Sequence, residues 1–396
     1  MGTWEAAGAL DLWSHSAGSH DGPAYGRSGA GYSCEVYGAA AVDRIQRHDT
    51  SRPLFLYLAF QGTHAPFQCP ERYEDPSVAH RGRRAFQGML TCIDGVTGNV
   101  TRALRRRGMW ANTFLLWSSD NGGDTTRPTE GANNHPLRGG KGTDFEGGVR
   151  AVAVVAGGGL RLRPGSVVHA PIHIADWYAT FGAMAGIAEP LTDASAAQHG
   201  LPAVDSIDQS TALGVATAGQ PLDGRAQRDA GAHGARADEW PRREIPISSN
   251  ALIDGDMKLV ISSAYVRTPD GNTRRGLGFW TGPVWPNYAQ KSASLLAADP
   301  KHHFEPDPGC PAGVGCLFNL SSDPNERYEL SSRMPGQAER LRARLRKLLK
   351  HRYQTGWDEV LEARASCTSL AEYVRAHRGF AGPVCAVSFP SQHLQP

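Results

Sequence analysis

The sequence has almost no surplus of charge of either sign. Its 41 Lys and Arg face 39 Asp and Glu, a formal net charge of +2 over 396 residues. That balance argues against a nucleic-acid binder working by phosphate neutralisation. Long apolar runs are scarce as well. Stretches such as Pro53 to Phe60 and Val149 to Ala156 fall far short of the roughly 18 residues of a membrane span. The opening Met1-Gly-Thr-Trp-Glu-Ala6 lacks a basic segment followed by an apolar one, so no signal peptide is read there. None of the seven cysteines stands in a C-x-x-C pair, which argues against a zinc ribbon or a thioredoxin-type site. No internal repeat is present.

What the chain does have is a 40% hydrophobic content, enough for a sizeable core, and 46 Gly with 26 Pro, which mark it as loop-rich. Its length corresponds to about two to three domains. Leu54-Phe-Leu-Tyr-Leu-Ala-Phe60 is a continuous apolar run of strand length, the pattern of a strand buried on both faces in a parallel sheet. Thr113–Ser118 and Val149–Ala156 read as further buried strands. Val36–Gln46, Ile172–Ile187 and Arg83–Arg107 read as helices. In the last, Phe86, Met89, Leu90, Ile93, Val96, Val100 and Leu104 form one apolar face. Arg105 to Arg107 suit the negative end of its dipole, and Gly108 closes it. The order of elements predicts an α/β fold with a mostly parallel sheet flanked by helices. From Glu189 to Trp240 the composition turns to Ala, Gly, Gln, Asp and Ser, a long surface loop or partly disordered connection. Short strands at Lys258–Ser262 and Cys316–Leu320, then a basic amphipathic helix over Gln337–Tyr353, predict a small α+β domain. The expected division is 1–245, with the low-complexity loop 189–240, and 246–396 with its tail. Cys310 with Cys316, and Cys367 with Cys385, are spaced for two disulfides; buried thiols are the alternative. Two N-x-[ST] sequons, at Asn99 and Asn319, are candidate glycosylation sites.

Chemistry is expected beyond the carboxyl ends of the strands. Ser118-Ser-Asp-Asn-Gly-Gly123 places the carboxylate of Asp120 and the amide oxygen of Asn121 there, hard donors that suit Ca²⁺ or Mg²⁺. An Asx-turn closing the strand is the alternative reading. His64, four residues beyond the other apolar run, could bind an anion or pass a proton to a leaving oxygen; a purely structural loop His is the alternative. Lys141 in Leu137-Arg-Gly-Gly-Lys-Gly-Thr143 could neutralise a sulfate or phosphate oxygen, or be a solvated loop lysine. The segment is not a P-loop, because it lacks the G-x-x-x-x-G-K-[ST] spacing. Together the four can bind a tetrahedral oxyanion ester.

Several ordered segments resemble the sulfatase family, and most the arylsulfatase B-like branch. They are Arg52-Pro-Leu-Phe-Leu-Tyr-Leu-Ala-Phe-Gln-Gly-Thr-His-Ala-Pro66, Trp117–Gly123, Asn133–Arg150, His173-Ile-Ala-Asp-Trp177 and Cys316-Leu-Phe-Asn-Leu-Ser-Ser-Asp-Pro-Asn-Glu-Arg327. The likeness runs from about Gly31 to Tyr353. It implies an alkaline-phosphatase-like α/β domain with a smaller C-terminal domain, and hydrolysis of sulfate esters on aryl groups or sulfated carbohydrates. Asp120 and Asn121 then correspond to two ligands of one Ca²⁺ ion, and His64 and Lys141 to the catalytic-site residues that contact the substrate sulfate. A secreted or lysosome-like lumenal location is implied for the full-length relative.

The departure from the family is specific. Sulfatases make a formylglycine nucleophile from a C-x-P-x-R or S-x-P-x-R motif, and this sequence has none; Cys69-Pro-Glu-Arg72 has Pro and Arg one position early. The N-terminal Asp-Asp metal ligands of the family are missing too, so the Ca²⁺ ligand set is incomplete. The expectation is a polypeptide that resembles the later part of a sulfatase, inactive alone and poorly soluble because a sheet edge is exposed. A non-catalytic sulfatase-like protein that binds sulfated glycans or a partner is the competing reading, and another alkaline-phosphatase-type hydrolase a third. Specificity is expected from 124–134 and 276–288, where Trp280, Trp285 and Tyr288 would stack on sugar rings or pack against the small domain.

Overall fold

The computed structural model describes residues 12–14, 22–23, 31–125, 131–159, 165–187, 198, 204–215, 240–261, 266–267, 273–274, 278–283, 304–305, 309–311 and 313–350. Contacts divide the chain into one compact unit of residues 1–40 with 352–396 and another of residues 41–351. Cys367, Cys385, Trp285, Tyr288 and most of 189–240 lie outside the described residues.

Helix α1 covers Ser33–Arg47, and α2 covers Arg81–Arg106. The α2 start is fixed by the His80 ring, which accepts from the Arg83 backbone N–H at 3.0 Å. Its buried stripe, from Ala85 through Met89, Cys92, Ile93, Val96 and Val100 to Leu104, follows the periodicity that the sequence predicts. Leu90 departs from the expectation: it lies past the edge of that stripe and is exposed. Gly108 follows the helix with φ 69°, the left-handed position that glycine fills without strain.

Strand β1, Leu115–Ser118, pairs with β2, Ala153–Ala156, from Leu115 opposite Ala156 to Ser118 opposite Ala153. That pairing is antiparallel, as are all strand pairs among the described residues. The α/β character is therefore as expected, but the parallel direction of the sheet is not what the described strands adopt. Residues 54–60 correct the sequence reading further. They form no ladder, and Phe55 and Tyr57 are 75% and 82% exposed. An apolar run sets a preference for burial, yet it supplies neither the neighbouring strand nor the layer that would cover it. Part of the run is nonetheless covered: Phe55 meets Phe181 at 5.9 Å between ring centroids, within an aromatic group that includes Phe114 and Trp177.

Phe181 and Trp177 belong to α3, Asp176–Met184, whose first residue is its anchor. The buried Asp176 carboxylate accepts from Arg242 Nε at 2.7 Å and Nη2 at 2.6 Å. It also accepts from the backbone N–H of His173 and of Ile207, both at 2.9 Å. Ser206 Oγ donates to Ala175 O and accepts from Ala179 N–H. Residues 204–215, inside the stretch expected to be a surface loop, are thus packed on α3, with Gln209 fully buried.

A second sheet holds β3 (Glu244–Pro246), β4 (Ala251–Asp254), β5 (Met257–Val260) and β6 (Cys316–Asn319) in the order β6-β5-β4-β3. A two-residue turn joins β4 to β5, with Gly255 at φ 60° in its first position. One face of this sheet packs Leu252, Leu259 and Leu317 against Ala338, Leu341 and Leu345 of α4, Pro335–Leu349. The opposite face, Ala251, Val260, Cys316 and Phe318, packs on Phe145 from the 131–150 segment. The alternation along β5 should place Lys258 on that second core face, and it is fully buried there. Its Nζ lies 2.8 Å from both Glu146 Oε1 and Glu326 Oε1. Glu326 Oε2 accepts the Glu146 backbone N–H at 2.7 Å, and Arg150 pairs with the other Glu146 oxygen at 3.2 Å. Cys310 and Cys316 form a disulfide.

Lys258→Met leaves two carboxylates buried without their cation, and urea unfolding should show a loss of about 3–5 kcal/mol. Burial raises the Asp176 carboxyl, but the bonds from Arg242, His173 and Ile207 outweigh it and hold the group below its ordinary 3.8. The stabilisation is complete above that value and is lost as pH falls through the lower folded one. The stability gap between wild type and Asp176→Asn should be widest at neutral pH and close as pH drops below 3.8.

Candidate functional site

Beyond β1 the chain turns through Ser119 to Gly123, and this turn is bonded to the 138–148 segment through backbone. Gly122 N–H donates to Gly148 O at 2.9 Å, and Lys141 N–H donates to Gly123 O at 3.0 Å. Asn134 clasps both segments: its Oδ1 accepts from Gly123 N–H at 2.8 Å, while its Nδ2 donates to Gly123 O at 2.9 Å and Gly139 O at 3.1 Å. Glycine is required where the segments meet. A Cβ on Gly122 would lie 1.7 Å from Gly147 O, and one on Gly147 would lie 2.4 Å from Gly139 O. The 138–148 segment is in turn seated on the second sheet. Arg138 is buried with its guanidinium 3.9 Å from the Phe145 ring centroid and 4.8 Å from that of Trp280, and its Nε donates to Gly278 O at 2.7 Å.

This scaffold brings Asp120, Asn121 and Lys141 onto neighbouring loops. Asp120 is exposed and its Oδ1 accepts the Asn121 backbone N–H at 2.8 Å; Asn121 Nδ2 donates to Gly122 O at 2.8 Å. Both side chains therefore bond the backbone of the next residue, one position short of the bond that defines an Asx-turn. His64 is exposed, with its Nδ1 at 2.9 Å from Ala65 O, between the cis peptides Gly62–Thr63 and Ala65–Pro66. No hydrogen bond or ion pair among the described residues joins it to the other three. A Ca²⁺ ion takes six to eight oxygen ligands, whereas the described residues hold no cluster of three or more His, Cys, Asp or Glu side chains suited to a metal. Asp120 and Asn121 offer two suitable oxygens; the described chain does not complete the set.

Trp280 is packed, the second of its two expected roles: its Nε1 donates to Asn325 O at 2.6 Å, and Arg327 stacks on its ring at 5.0 Å. Of the sequons, Asn99 is exposed on α2 with its Oδ1 at 2.5 Å from Arg102 Nη2. Asn319 ends β6, and its Oδ1 accepts from Ser321 and Ser322 N–H.

Sequence reasoning did not single out the groups that hold this scaffold: Lys258, Glu146, Glu326, Arg138 and the Asp176–Arg242 pair. Lys258 had a signal, a lysine in the middle of Met-Lys-Leu-Val260 at a position the strand alternation should bury. Burial is the strongest influence on its ammonium and lowers it, but Glu326 and Glu146 outweigh that and raise it above 10.5. Burial, with Glu146 alongside, raises the Glu326 carboxyl despite the Lys258 cation. Glu326 also adopts φ 56°, a left-handed conformation that costs a non-glycine residue about 1–2 kcal/mol.

Residues 8–187 match the family model described as Sulfatase. The chain is 31% identical over 333 residues to arylsulfatase J of Mus musculus, a match covering 79% of this chain and 48% of that protein. It is 33% identical over 165 residues to N-acetylgalactosamine-6-sulfatase of Homo sapiens, covering 41% and 31%, and 36% identical over 146 residues to human arylsulfatase A, covering 37% and 27%. The chain thus spans about half the length, or less, of these curated relatives. Among solved structures, the PsFucS1 sulfatase from Pseudoalteromonas sp. aligns with a TM-score of 0.53 at 20% identity over 81% of this chain and 54% of that one. Ps i-CgsB in complex with k-i-k-neocarrahexaose aligns with a TM-score of 0.51 at 20% identity over 80% and 55%. These structural likenesses show the alkaline-phosphatase-like fold of sulfatases. The domain match over residues 8–187 and the identity to arylsulfatases J and A support one assignment, to the sulfatase family.

Proposed function

We propose that the protein is a sulfuric ester hydrolase acting on aryl sulfate or sulfated carbohydrate esters, and that this chain supplies its sulfate-recognising loops. The observation that carries this reading is the backbone bond from Lys141 N–H to Gly123 O, which ties the loop bearing Lys141 to the loop bearing Asp120 and Asn121. In this reading Lys141 neutralises a sulfate oxygen and His64 hydrogen-bonds the anion or protonates the leaving oxygen. Asp120 and Asn121 lend two oxygens to a Ca²⁺ ion whose further ligands the described residues do not provide. When bound, such an ion would polarise the sulfate. The sheet of β3 to β6 with α4 acts as a supporting domain that begins near residue 246.

A lumenal or secreted location fits the Cys310–Cys316 disulfide, since such bonds persist in oxidising compartments. Asn99 and Asn319 would then be open to glycosylation. Among the described residues no helix is long and apolar enough to cross a membrane.

One observation favours a second, non-catalytic reading, in which the protein binds sulfated glycans without cleaving them: the sequence holds no C-x-P-x-R or S-x-P-x-R motif to become the nucleophile. Both readings require sulfate recognition, so calorimetry with a sulfated disaccharide and its desulfated counterpart, in buffer containing Ca²⁺, tests what they share. Binding should need the sulfate, and Lys141→Ala should weaken it at least tenfold, the loss of one charge-assisted contact. Equal binding of the two sugars would overturn the proposal. With a chromogenic aryl sulfate, this polypeptide alone should show no turnover; robust hydrolysis would expose a nucleophile outside the known motif and exclude the non-catalytic reading. Gly122→Ala should part the two loops. Amide exchange should accelerate at 119–123 and 138–148, and sulfated-sugar binding should fall, while protection in β4 to β6 stays unchanged.

A further inference from the structure

Neither the sulfate-recognition reading nor the expected disulfides account for two cysteines that the fold brings together, Cys69 and Cys92. Cys69 follows the His64 segment, and Cys92 lies in the middle of α2. The Cys69 sulfur reaches the helix itself, 3.7 Å from Ala85 O. It also occupies the notch left by Gly88, where an added Cβ would lie 2.4 Å from that sulfur. Ala85, Gly88 and Cys92 stand at i, i+3 and i+7 of one buried face. Cys92 is one helical turn beyond Gly88, about 6 Å along the axis. Side chains on a helix lean toward its N-terminus, so the Cys92 side chain leans over the turn where the Cys69 sulfur sits.

The electrostatics agree with this proximity. The Cys69 thiol is pushed up to about 11, first by burial, then by Glu74 beside it, with Cys92 among the groups that oppose its ionisation. Glu74 is itself fixed to α2 by its 2.9 Å ion pair with Arg84, so the turn bearing Cys69 is held against the helix. Among the described residues Cys310–Cys316 is a formed disulfide, while Cys69 and Cys92 are not bonded to each other.

We infer that Cys69 and Cys92 are a second disulfide site, closed during oxidative folding, which staples the segment after His64 to α2. The oxidant is a small-molecule disulfide such as oxidised glutathione. One cysteine thiolate attacks it and releases one glutathione thiol. The second cysteine thiolate then attacks the mixed disulfide and releases the other, so two protein thiols lose two protons and two electrons and one glutathione disulfide becomes two thiols. A thiol held near 11 is a poor nucleophile at neutral pH. Closure therefore belongs to folding, before Cys69 is packed into the Gly88 notch, and the closed bond is shielded from later exchange.

The test is refolding of the full chain in a glutathione redox buffer, trapping with N-ethylmaleimide under denaturing conditions without reductant, and peptide mass spectrometry. The Cys310–Cys316 bond serves as the control that the preparation is oxidised. The expected result is one cross-linked species joining the peptides that contain Cys69 and Cys92, replaced on reduction by two alkylated peptides. Cys69→Ser should leave Cys92 carrying the maleimide, and Cys92→Ser the reverse. Maleimide on both cysteines in a preparation whose Cys310–Cys316 bond is closed would overturn the inference. So would a cross-link from either cysteine to Cys34.

Discussion

The fold of the 41–351 unit turns on an ammonium with no access to water. Lys258 lies in the second sheet with two carboxylates around it, one from each of two segments distant in sequence. Neither carboxylate is stable in that place without the cation, and the cation is not stable without them. The three groups can therefore be buried only together. Because Glu146 belongs to the segment that carries Lys141, burial of this ion group fixes a loop as well as a core. Arg138 adds to the effect from the same segment, filling the space between Phe145, Trp280 and Phe318 with a flat cation.

From that fixed segment the order of the rest can be traced outward. Glycines at 122, 140, 147 and 148 let the turn after β1 lie backbone to backbone on the 138–148 segment. Asn134 joins both. A side chain presented from either loop is consequently held by hydrogen-bonded main chain, and that main chain is held by the sheet beneath. On the other side, the Asp176–Arg242 pair does the same for α3, whose aromatic residues reach Phe114 at the start of β1.

Much of this was legible from residues in order. The apolar stripe of α2 and the amphipathic α4 follow periodicity, because each buries one face, while the strands at 115–118 and 316–319 show as short apolar runs. The 54–60 run does not form the strand that its pattern predicts, because seven apolar residues say that a segment would gain by burial, not what would bury it. The direction of pairing departs from the pattern for a related reason: continuous apolar runs fit parallel strands, but β1 and β2 are paired antiparallel through a contact no local pattern encodes. The candidate site was legible in part. Asp120, Asn121 and Lys141 fall on neighbouring loops, as expected of residues near strand ends, while His64 shares no bond with them. The charged groups that support the site stayed hidden because a buried ion group joins residues more than a hundred positions apart, and a single sequence shows each member only as a lone charge.

The contact of Gly122 with the carbonyl of Gly147 has a broader consequence. Since the wall behind Asp120 and Lys141 is made of main chain, its contour does not depend on which side chains project from it. Exchanges at the projecting positions can retune what the loops select while leaving the mould intact. The glycines beneath have no such latitude, and the two kinds of position should therefore diverge at different rates as the lineage diversifies.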